Sequence, residues 1–114
     1  MRVLLIGVAL NLAASFPVTA QTKRIYAGEE AAALRCSNTL ALTAVTLSRA
    51  GMISDLEKDV MLGITIRILD RHVEGTWAQK KRALEVMRDR RNLPDTLEDY
   101  RENAARCLRQ FPIN

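Results

Sequence analysis

Cys36 and Cys107 are the only cysteines in the chain, and they stand more than seventy residues apart. Joined, they require the fold to bring a site early in the sequence to within about 7 Å, Cα to Cα, of a site close to its end. An even cysteine inventory reads as a disulfide when the chain is exported. The first twenty residues carry the pattern of an export signal. Met1-Arg2 supplies a positive charge, Val3 to Ala14 is a short apolar run, and Ser15 to Ala20 ends in small residues. Val18 and Ala20 lie three and one places before a cut ahead of Gln21, the small-residue pattern that signal peptidase accepts. The run is shorter than the ~20 residues of a membrane span, and Pro17 interrupts any helix leaving it. The residue directly after the cut is Gln21 and not a cysteine, which argues against a lipid anchor.

This reading makes residues 1–20 a signal peptide and residues 21–114 a single helical domain, placed in the periplasm or secreted. A domain of this size buries only about two thirds of its unfolded surface. Closing so long a loop contributes roughly 4 kcal/mol in the chain-entropy model, a large share of a total stability of about 5 to 15 kcal/mol.

Between the cysteines the apolar residues follow a helical period. Ala27 to Ala50 is apolar over most of its circumference, with Ala33, Cys36, Leu40, Ala44 and Leu47 on one stripe and Leu34, Ala41 and Val45 on a second. Such a helix has to be covered on several sides, so the later segments read as its covering partners. Glu29 and Glu30 suit the positive end of its dipole, and Gly51 stops it. Ser54-Asp55-Leu56-Glu57 is a capping box that opens a second helix running to about Glu74. Leu56, Val60, Ile64 and Ile68, with Met61, Leu69 and Val73 beside them, are expected to form a broad buried face. Arg67 with Asp70 and Arg71 with Glu74 are spaced as one-turn ion pairs.

After Gly75, Thr76-Trp77-Ala78-Gln79 is a second capping box, and Trp77, Leu84 and Met87 mark the inner line of a third helix. Leu93-Pro94 is expected to terminate it. Asp95, with Glu98 three residues later, then opens a fourth whose stripe is Leu97, Tyr100, Ala104, Cys107, Leu108 and Phe111, ended by Pro112. Four amphipathic helices with short links predict an all-α, up-down-up-down four-helix bundle stapled by one disulfide. The parity is a separate check: four alternating directions bring the start of the first helix and the end of the fourth to one end, where Cys36 and Cys107 lie.

Catalytic patterns are missing. His72 is the only histidine and lacks a second ligand or an orienting carboxylate on its own helix face. The serines and threonines fall inside helices or at caps, where local backbone groups occupy their hydroxyls. There is no G-x-S-x-G elbow and no glycine-rich phosphate loop. The chain therefore reads as a non-enzyme with no catalytic residues, no cofactor and no metal.

One feature points to function. The third helix carries Lys80, Lys81, Arg82, Arg88, Arg90 and Arg91 against Glu85 and Asp89, although the formal charge of the whole chain is a mild +4. These cations form a candidate binding surface for an acidic protein or an anionic envelope component. The bland use of the same face is to keep a small bundle soluble. Export and the absence of aromatic residues among the cations argue against nucleic acid. The expectation is a small exported binding or interaction protein, on a plan shared by unrelated periplasmic chaperones and immunity proteins. The alternative is a carrier of a small apolar ligand between the helices.

Overall fold

A computed structural model describes residues 24–114, so the expected signal peptide lies outside the described residues. Four helices follow one another: α1 (Gly28–Arg49), α2 (Asp55–His72), α3 (Trp77–Arg90) and α4 (Leu93–Gln110). The substantial packing all runs through α1, which touches α2, α3 and α4, while the outer helices meet one another little. The bundle is thus three helices on a central one.

Local chemistry sets the helix ends. At α2, Glu57 N donates to Ser54 Oγ at 3.1 Å and Ser54 N donates to Glu57 Oε1 at 3.2 Å. At α3 the same reciprocal pair joins Gln79 N to Thr76 Oγ1 at 3.1 Å and Thr76 N to Gln79 Oε1 at 2.9 Å. Both capping boxes are therefore formed. Gly51 takes φ +70°, and Met52 N and Gly51 N reach back to Leu47 O and Ser48 O at 2.9 and 3.0 Å. That pair of hydrogen bonds to the last carbonyls of α1 needs a residue without a Cβ penalty in the left-handed region.

Four expectations are corrected. Leu93-Pro94 begins α4 and does not end α3: Asn92 is the cap, its Oδ1 accepting from Asp95 N at 2.8 Å. Pro94 then falls in the first turn, where the missing N–H costs nothing. The buried face of α2 is narrower than expected, since Leu56 and Val60 are 73% and 55% exposed, whereas Thr65, Ile68 and Leu69 are buried. A strict four-residue step advances about 40° round a helix of 3.6 residues per turn, so Leu56 has swung about 120° away from Ile68. Trp77 is 53% exposed, and the inner line of α3 is Lys80, Ala83, Leu84 and Met87. Neither expected ion pair on α2 closes. The helix ends at His72, two residues before Glu74, and an exposed pair such as Arg67–Asp70 gains little by closing.

The core is Ala33, Leu34, Cys36 and Leu40 of α1 with Ile68, Leu69, Val73 and Phe111. Cys36 and Cys107 form the disulfide, with Cα atoms 5.7 Å apart. At that end of the bundle Tyr26 Oη donates to Glu74 O at 2.7 Å, and Glu74 N donates to Glu30 Oε2 at 2.7 Å. The starts of α1 and α3 and the ends of α2 and α4 meet there. At the other end of the α3–α4 hairpin, Arg91 and Asp99 reach α1 at Thr39, halfway along it. Beyond that level only α2 covers α1, and no residue from Val45 to Ile64 is buried.

Candidate functional site

The six expected cations of α3 do not form one surface. Lys80 points to the inner side and is 8% exposed, its aliphatic stem packing where a shorter polar chain would leave a gap. Arg88 is turned to its neighbour Asp89, Nε to Oδ1 at 3.2 Å. Arg91 is drawn onto Asp99. Lys81, Arg82 and Arg90 are exposed and, among the described residues, have no hydrogen-bond or ion-pair partner.

These last three border a groove of about 580 Å³ between α1 and α3, together with Arg24 and Arg91. Its floor is apolar: Ala31 and Leu34 from α1, Ala83, Val86 and Met87 from α3. Among the described residues Glu85 is its one carboxylate. Tyr26 closes one end. Burial pushes the Tyr26 phenol up, Glu30 adds to the effect and Arg24 opposes it, so the hydroxyl stays a donor to Glu74 O at neutral pH.

A second constellation was not foreseen from the sequence. Asp99 of α4 is 9% exposed and accepts from Arg35 Nε at 3.2 Å, Thr39 Oγ1 at 3.0 Å, Asn103 Nδ2 at 2.7 Å, and Arg91 Nη1 and Nη2 at 3.3 Å each. It borders a small cavity of about 190 Å³ beside the disulfide. Burial disfavours its charge, but the bonds from Arg35, Asn103 and Thr39 outweigh burial and take the carboxyl down to about 2. A carboxylate so saturated is a poor proton acceptor. It ties α1, the α3–α4 connection and α4 together. The available signal was Asp99 and Asn103 at four-residue steps before Cys107, on the line that faces α1.

His72 also ties elements together: Nε2 lies 2.7 Å from Pro112 O, which fixes that nitrogen as the donor, and the ring meets Phe111 edge-on at 5.4 Å. Among the described residues no three His, Cys, Asp or Glu side chains converge as metal ligands. Ser37 Oγ, Asn38 Nδ2 and Thr43 Oγ1 of α1 are buried without a partner. A buried unmatched donor costs about 1–3 kcal/mol. Asn38→Leu, similar in shape, is expected to raise the denaturant midpoint by an amount equivalent to about 1 kcal/mol. A lowered midpoint would show that the amide has a role in the fold.

No known protein family matches the chain, and no curated protein or solved structure resembles it significantly. No described helix is long and apolar enough to cross a membrane.

Proposed function

We propose that this is a small exported, non-enzymatic binding protein that holds an anionic partner on the cationic border of the α1–α3 groove. The observation that carries the reading is three uncommitted cations, Lys81, Arg82 and Arg90, around one open groove with a single carboxylate. Among the described residues Arg49, Arg67, Arg71 and Arg109 also have no hydrogen-bond or ion-pair partner and lie outside the groove lining, so what sets Lys81, Arg82 and Arg90 apart is that they share one concavity. The disulfide and the leader read over residues 1–20 support export.

Capture from cell-envelope extract on the immobilised, oxidised protein tests this. A partner retained at low salt should leave at high salt, and R82E/R90E bait should fail to retain it, since exposed charge attraction is screened over about 8 Å at physiological ionic strength. Retention unchanged by both treatments would overturn the assignment. The larger cavity opens to solvent between α1 and α3 and does not lie within the core, so the carrier alternative finds its space in the same groove.

A further inference from the structure

We infer that the groove takes an amphiphile with one acyl chain and an anionic head group. This rests on the anionic-partner reading and names the chemistry of the partner. The volume of about 580 Å³ falls within the roughly 300–1,000 Å³ of small-molecule sites. Its length fits a chain: from Ala78 to Arg90, both bordering the groove, α3 rises about 18 Å at 1.5 Å per residue. A bilayer's hydrocarbon core of about 30 Å is two chains deep, so one acyl chain extends about 15 Å.

Charge narrows the choice further. Arg24 lies 3.8 Å from Glu30, and Arg91 lies on Asp99, so two of the bordering cations already have counterparts. Arg82, Val86 and Arg90 follow one another at four-residue steps, which places an uncommitted cation towards each end of the apolar floor, with Lys81 beside the first. A purely apolar ligand would leave these cations unmatched. A compact polyanion would leave the partly exposed Ala31, Val86 and Met87 uncovered. A molecule with an apolar body covers the floor, and its anionic end matches Arg82 and Lys81, the end where two uncommitted cations stand together. The small side chains of Ala31 and Ala83 are what leave the channel open between the two helices.

The test uses dodecanoate, dodecanol and dodecylphosphocholine, each below the concentration at which it aggregates, with the oxidised protein in isothermal titration and native mass spectrometry. Dodecanoate should bind one to one, and both the neutral and the zwitterionic compound at least about tenfold more weakly. Two variants should each weaken dodecanoate at least about tenfold: R82E/R90E, which reverses the charge, and Val86→Trp, which fills the floor. Their thermal transitions report whether they fold, and R67E/R71E, two exposed sites outside the groove lining, makes the same change in net charge and serves as its control. Equal binding of the three compounds, multiple dodecanoates per chain, or dodecanoate binding unchanged in folded Val86→Trp would overturn the inference. If dodecanoate does not bind while R82E/R90E still abolishes capture from the envelope extract, the amphiphile falls and the anionic-partner reading stands. If R82E/R90E changes neither, both fall.

Discussion

Reduction of the Cys36–Cys107 disulfide is expected to lower the stability of the fold by roughly 4 kcal/mol, because the bond restrains a loop of more than seventy residues in the unfolded chain. For a domain of this size that corresponds to a fall in melting temperature of roughly 20 °C. Reductant is the cleaner experiment. Cys36 is part of the core and Cys107 is partly buried, so replacing both cysteines by serine would add the cost of a buried hydroxyl at position 36. Thermal unfolding followed by circular dichroism, with and without reductant, reads the effect. A coincident pair of transitions would mean that packing alone holds α4 against α1.

Loss of the Asp99 carboxylate is expected to be the next largest effect. Asp99→Ala removes the acceptor shared by Arg35, Arg91, Thr39 and Asn103 and leaves two guanidinium groups facing each other. The cost should be about 3 kcal/mol, at the low end for a broken buried pair, because the Arg35 side chain is more than half exposed and can turn to water. Asp99→Asn keeps the shape and one acceptor oxygen, and should lose less. The same group sets an acid limit. Its folded carboxyl sits at about 2 against an ordinary 3.8, so its contribution is complete above the ordinary value. The contribution is lost as the pH falls through that value towards 2, and amounts to about 2 kcal/mol. Denaturant midpoints between pH 5 and pH 2 should therefore fall more steeply in the wild type than in Asp99→Asn. Parallel profiles would show that other carboxylates govern acid unfolding.

What could be read from the sequence was what depends on near neighbours. Ser54 with Glu57 and Thr76 with Gln79 are three residues apart and settle their own helix starts. The long apolar helix declared itself through its lack of a polar face, and the disulfide through helix parity. Asn92 and Asp95 were harder, because each is followed three residues later by an acid and the two possible starts overlap. Pro94 decides between them only once it is seen to fit a first turn. The exposed Leu56 and Val60 reflect the 40° drift of a four-residue step, which a line of apolar letters does not display. For the site, the crowd of cations was visible, but which were free was not. Arg91 is engaged by an acid on α4, and Lys80 is turned inwards by the face that α3 offers to α1. Both outcomes depend on contacts between helices.

The α3–α4 hairpin stops at the level of Thr39, and this divides the molecule by kinetic lability as well as by shape. Below that level lie the disulfide, the Asp99 clasp and the buried core; above it is a two-helix arm with no buried residue from Val45 to Ile64. Backbone amides of the arm should exchange with solvent deuterium through local opening, while those around Leu34, Cys36, Ile68 and Leu69 should wait for unfolding of the whole. Reductant should then speed exchange at the base and leave the arm nearly unchanged, so that one bond governs how long the base survives and has little influence on the arm.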